Sequence, residues 1–196
     1  MTRFVFYSKS ADKKPGKGSN EELTKGENYK NLEKIKDWRK KLSNMYISPF
    51  ILGGKEYISV ENFFHSIKFS KDYPEFAATF AMDGNTEWSK DPFKSKQAGK
   101  QGRVYSGGKK YTNSNLPELK NYKDAKMRAD FYSGIDNIAM TLALYSKFTQ
   151  NKDLEKLLLD TGNAELYHIM RGKPLERWYH LERVRYCIKH LKPVIF

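Results

Sequence analysis

The chain has 196 residues, with 36 Lys and Arg against 23 Asp and Glu, and a formal net charge of +13. Its 13 Tyr, 12 Phe and 3 Trp exclude a wholly disordered polymer and suffice for one substantial core. A single cysteine, Cys187, excludes a disulfide framework within the chain, and no apolar run reaches the length of a bilayer span. The cation surplus favours anionic partners, nucleic acid or phosphorylated small molecules, and it serves solubility equally well. No membrane partner and no secretory leader are expected. The expected location is the cytoplasm, or the nucleus of a eukaryotic host.

Taken in order, Arg3 to Tyr7 reads as a strand and Lys9 to Asn20 as a polar surface loop. Glu21 to Lys41 is highly charged, but Leu32, Ile35 and Trp38 recur about one helical turn apart, which predicts an amphipathic helix. Phe50-Ile51-Leu52 and Glu56-Tyr57-Ile58, joined through Gly53-Gly54-Lys55, predict a hairpin. Ser59 then caps a helix that places Val60, Phe63, Phe64 and Ile67 on an apolar stripe. Tyr73 to Met82 reads as a helix entered through Pro74, and Ser95 to Arg103 as a short one ending at Gly102. Val104 to Asn115 reads as a loop. The strongest helical period runs from Ile135 to Phe148, and a second carries Leu154, Leu157 and Leu158. Ala164 to Met170 reads as a short helix broken by Arg171-Gly172-Lys173-Pro174, and Leu175 to Leu191 as the last helix. The fold class is α+β, predominantly α-helical, with a few short N-terminal strands: one domain over residues 1–196 with a charged insertion at about 10–41.

Motifs for common chemistries are missing. The four histidines are scattered, so no metal-ligand spacing exists, and there is no phosphate loop or nucleophile elbow. Cys187 reads as a core residue. What stands out is the Ser59 helix, where Glu61, His65 and Lys68 fall at i, i+4 and i+7 beside the apolar stripe. Such a row suits a cleft with a few fixed polar groups. It also suits a first-turn acid with two ordinary surface pairs.

Several segments together, in order, resemble the YbiA-like family, also called NADAR. They are Phe6-Tyr7-Ser8-Lys9, Leu42-Ser43-Asn44-Met45-Tyr46, Ser48-Pro49-Phe50, and Ser59-Val60-Glu61-Asn62-Phe63-Phe64 with Lys68-Phe69. Further on come Ala98 with Gly102-Arg103, then Met140, Ala143-Leu144, Lys147-Phe148 and Gln150-Asn151, then Leu157-Leu158 with Thr161-Gly162-Asn163-Ala164-Glu165-Leu166. The resemblance implies an N-glycosidase, a hydrolase that breaks a ribosyl C–N bond without a cofactor. Substrates implied are ADP-ribosylated guanine in nucleic acid or a phosphoribosylaminopyrimidine of riboflavin synthesis. Glu61 would be the catalytic carboxylate, facing an oxocarbenium-like transition state. Asp130 and Asp136 are candidates for a second. Lys68 and Arg103 would bind phosphate, with Arg128 a candidate that also reads as a common surface arginine. Tyr7, Tyr46, Phe64 and Phe131 are candidates to stack on the base, although such aromatics are more often core. Asn44 would hydrogen-bond a ribose hydroxyl or a base edge, and His65 is a further substrate-binding candidate. An Asx-turn explains Asn44 as well, and a first-turn acid explains Asp136.

Two departures from that family stand out. Its Asp-Trp is Asp130-Phe131 here, which keeps a stacking surface but loses the indole donor. Its Trp-Gly-x-Gly loop after the Thr-Gly-x-Ala segment is missing, and Tyr167-His168 stands where an acidic residue is usual. Two other readings therefore stay open: a module that binds ADP-ribose or a nucleotide without cleaving it, and a basic nucleic-acid-binding protein. In the latter Lys13, Lys14, Lys17, Lys34, Lys36, Arg39, Lys40 and Lys41 would touch phosphate.

Overall fold

A computed structural model describes residues 1–170 and 172–194. Arg171, part of the predicted break before the last helix, lies outside the described residues. The chain forms two compact units: residues 1–46 with 147–196, and residues 47–146.

The first unit is built on a three-stranded sheet. β1 (Arg3–Phe6) pairs in parallel with β4 (Glu165–His168), Phe4 opposite Leu166, and β4 pairs antiparallel with β5 (Glu176–Arg177). The predicted helix over 164–170 is thus corrected to a strand. Helical spacing is ambiguous over so few residues, and β1, whose pairing settles the matter, lies at the other end of the chain. The last helix is shorter than predicted for the same reason: Glu176 and Arg177 join the sheet, and α9 (Tyr179–Lys189) follows. α2 (Trp38–Leu42) packs on β1 and on α8 (Lys152–Asp160), and α9 packs on α8 and β4. Cys187 is buried in α9.

The charged stretch of this unit is also corrected. Instead of one surface helix over 21–41 there are two short ones, α1 (Lys30–Glu33) and α2, separated at Asp37, whose φ of 56° breaks the helix. Leu32, Trp38 and Leu42 are buried. The organiser is Glu21, whose carboxylate takes both Arg39 Nε (2.6 Å) and Arg39 Nη2 (2.5 Å) and accepts N–H groups from Val5, Gly16 and Gly18. Arg39 also donates to the carbonyls of Lys13 and Lys14. At 2 % exposure it has no face left for a phosphate, contrary to its place in the basic stretch.

The second unit opens with the predicted hairpin, β2 (Phe50–Leu52) and β3 (Lys55–Tyr57). Gly53 and Gly54 both sit at positive φ, as a two-residue hairpin loop of this twist requires. Then come α3 (Val60–Ile67), α4 (Pro74–Ala78), α5 (Glu87–Lys90) and α6 (Pro92–Ala98). α4 is shorter than predicted, because the chain turns after Thr79 and a separate tight turn holds Met82–Gly84. The core of this unit is aromatic: Phe69, Phe76, Phe80 and Trp88, with Ala98, Leu116 and Leu119. A wide turn over Phe131–Ile135, with Gly134 at φ 111°, leads into α7 (Asp136–Gln150), within which the chain passes from the second unit to the first. No described helix is long and apolar enough to cross a membrane.

Candidate functional site

The site begins with the cap of α3. Ser59 lies in extended backbone and its hydroxyl accepts the Asn62 N–H at 3.3 Å. The Asn62 side chain donates to the Trp88 carbonyl at 2.7 Å, so the first turn of α3 is tied to α5. That anchoring turns Val60 and Phe63 into the core and carries Glu61 with them to 8 % exposure. One turn on, His65 is 4 % exposed, and its Nε2 lies 3.1 Å from Glu61 Oε1.

α6 closes over this pair. Gly99, just past its end, lies against the His65 ring, where a Cβ would come within 2.1 Å of Nδ1. Lys96 Nζ stands 3.9 Å from Glu61 Oε1. Burial pushes the carboxyl of Glu61 up, but the His65 hydrogen bond and the charges of Lys96 and Lys68 outweigh it and hold the group below its ordinary range. His65 moves the other way: burial, with Lys68 nearby, pushes it down to about 4. At neutral pH the pair is therefore an ionised carboxylate accepting from a neutral imidazole, and Nε2 carries the proton.

Lys68, at the end of α3, is 8 % exposed and has no oxygen partner within hydrogen-bonding distance among the described residues. Its Nζ sits over the rings of Phe64 (5.3 Å) and Phe131 (5.6 Å), which meet edge to face at 5.2 Å. Burial lowers it to about 8, partly opposed by the attraction of Glu61. Gly99 and Lys68 also line an adjoining cleft of about 380 Å³, together with Lys100, Arg103, Lys126 and Tyr132. Gly102 shapes its floor: at φ +73° it passes so close to the chain that a Cβ would lie 2.3 Å from the Ala125 carbonyl oxygen. Four cations and no carboxylate face this cleft, a field suited to a phosphorylated ligand.

Of the residues singled out in the sequence, the structure thus gathers Glu61, Phe64, His65, Lys68 and Arg103, while Phe131, expected to stack on a base, is fully buried beneath Lys68 and Phe64 and belongs to the core. Arg128 and Asp130 form a bidentate pair (2.6 and 2.8 Å), which holds Asp130 down to about 2. Asp136 lies in the first turn of α7, half-buried, with Oδ1 unpartnered among the described residues. Tyr7, Asn44 and Tyr46 belong to the first unit. There Tyr7 lines a small hollow with Ser10 and Arg39, Asn44 is buried, and Tyr46 faces Lys147 at 5.6 Å. Sequence reasoning missed Lys96, Gly99, Lys100, Lys126 and Tyr132. Gly99 carries no local signal, since its φ of −63° suits any residue and only the contact with His65 demands glycine. Among the described residues no group of three or more His, Cys, Asp or Glu is placed to hold a metal ion.

Fold and site together describe an α+β protein, mainly helical, with a buried carboxylate beside a cationic cleft. No family model and no curated protein matches the chain. Among solved structures, the NMR structure of the Escherichia coli protein YbiA is similar to it, with a TM-score of 0.56 and 16 % sequence identity over 100 % of this chain and 92 % of that one. The fold is therefore YbiA-like.

Proposed function

We propose that the protein hydrolyses an N-glycosyl bond between a ribose and a base, the ribose carrying a phosphate or an ADP group. The observation that carries this reading is the buried, ionised Glu61 next to a cleft lined by Lys68, Lys100, Arg103 and Lys126. As the C–N bond breaks, its electron pair leaves with the nitrogen and positive charge builds at the anomeric carbon. A carboxylate in a water-poor site stabilises that charge far better than it would in bulk solvent. Water adds to the anomeric carbon, and its proton ends on the released base. The cleft cations would hold the phosphate, with Tyr132 and the half-buried Phe64 as surfaces for a base. Candidate substrates are ADP-ribosylated guanine in nucleic acid and a phosphoribosylaminopyrimidine.

One observation favours a second reading, recognition without cleavage. Asp130, a candidate second carboxylate, is kept ionised by Arg128 and is no general acid at neutral pH. Mass spectrometry of products separates the two. The protein and a Glu61→Gln variant are incubated with both substrates, NAD and ADP-ribose. Release of free base, reduced about 10³-fold in the variant, supports the hydrolase. No release from any compound, with ADP-ribose still raising the melting temperature, leaves the binding module.

A further inference from the structure

His65 does more than fill space beside Glu61. Its Nδ1 is buried, has no hydrogen-bond partner among the described residues, and faces the bare Cα of Gly99. A proton on Nδ1 would meet a wall with no acceptor. A proton on Nε2 meets Glu61 Oε1 at 3.1 Å. The ring is held from other sides by Phe64 (5.7 Å) and Phe80 (6.4 Å). Gly99 therefore makes room for the ring and offers Nδ1 no acceptor, so the Glu61 carboxylate selects the Nε2–H tautomer. On Glu61 the consequence is asymmetric. Oε1 is engaged by His65 and approached by Lys96, whereas Oε2 has no hydrogen bond among the described residues.

We infer that His65 is a positioning residue: locked by Gly99 as a neutral Nε2–H donor, it fixes the Glu61 carboxylate through Oε1 and leaves Oε2 as the oxygen that meets the reacting sugar. This deepens the hydrolase reading and rests on it for the use made of Oε2, though not for the tautomer or the hydrogen bond. The same donor is what keeps a carboxyl ionised despite its burial. The charged groups acting on the pair are Lys68 from α3 and Lys96 from α6. Neither can replace the imidazole. Lys96 is largely in solvent and 3.9 Å away, and Lys68 makes no hydrogen bond to Glu61.

The test uses the full chain and two variants. His65→Gln keeps an N–H donor four residues after Glu61, and His65→Phe keeps the ring volume without a donor. Nitrogen and carbon NMR of the labelled protein reads the His65 tautomer and the Glu61 carboxyl titration without any substrate. Expected is a neutral Nε2–H imidazole that does not titrate above pH 5, and a Glu61 midpoint that rises by about one unit in His65→Phe and returns in His65→Gln. In the base-release assay the acid limb of kcat should move in step, about tenfold at the low-pH end, with KM unchanged. The inference is overturned by a His65 that titrates near 6.5, by the Nδ1–H tautomer, or by a Glu61 midpoint that His65→Phe leaves in place. A merely structural role would lower the melting temperature of both variants and move neither midpoint. Failure of the hydrolase reading looks different, as absence of base release from the unaltered protein, and it leaves both NMR readouts intact.

Discussion

The two units of this molecule each bury a glutamate and a lysine, and they treat them in opposite ways. In the first unit Glu21 is saturated: a bidentate guanidinium and three backbone N–H groups occupy its oxygens. Lys147, with no exposed surface, donates to the carbonyls of Lys41 and Ser43 at 2.8 Å each. Among the described residues of the second unit, Glu61 has one neutral donor on one oxygen, and Lys68 rests on two ring faces with no oxygen partner. Desolvation acts on both sides, but only the first unit supplies each group with several hydrogen-bond partners, five donors on Glu21 and two carbonyls at Lys147. A saturated buried charge holds a fold together. An unsaturated one beside a cleft is poised to take a ligand, because the ligand supplies what the protein withholds.

Four substitutions sharpen that contrast. The largest effect is expected from Arg39→Met, which leaves Glu21 buried without its counter-charge and should cost about 3–5 kcal/mol in chemical denaturation. Lys147→Met should act through pH. Burial lowers this lysine to about 7, so between there and the unfolded value of about 10.4 the unfolded chain binds more protons than the folded one. Stability should therefore rise with pH across that window, by something on the order of a few kcal/mol, and the Met variant should lose the slope. A flat profile in the unaltered protein would mean that the two carbonyls, not burial, set the lysine. Gly99→Ala places a Cβ where His65 sits and should cost about 1–3 kcal/mol. Unlike Arg39→Met, it should also lower base release per folded molecule. The smallest effect is expected at the partly exposed Arg128–Asp130 pair: Arg128→Ala should shift the unfolding free energy by no more than about 1 kcal/mol, and a larger shift would assign Asp130 a structural weight its surroundings do not show.

Much of the candidate site could be read from the chain because it lies on one helix. Ser59 signals the cap, and helical spacing then places Glu61, His65 and Lys68 on one side of the apolar stripe. The partners that give these residues their character could not be read in the same way. Lys96 and Gly99 reach them only because α6 packs on α3. The same limit explains the errors in the first unit. The 164–170 segment became a strand through β1, and the 21–41 stretch broke in two because Glu21 and Arg39 found each other in the interior.

Elements whose cause is local follow from the order of residues alone: the Ser59 cap, the Gly53-Gly54 hairpin, the long periodic helix through Ala143, and the row of Glu61, His65 and Lys68. Each rests on hydrogen bonds or periodicity within a few residues. Which charges are structural and which are left open follows from the packing of distant segments. That depends on desolvation and on donors brought from distant segments, and neither is encoded within one turn of helix. The same packing made Glu21 a fixed anchor, left Glu61 with one oxygen unpartnered among the described residues, and turned an ordinary glycine at position 99 into the wall against which His65 rests.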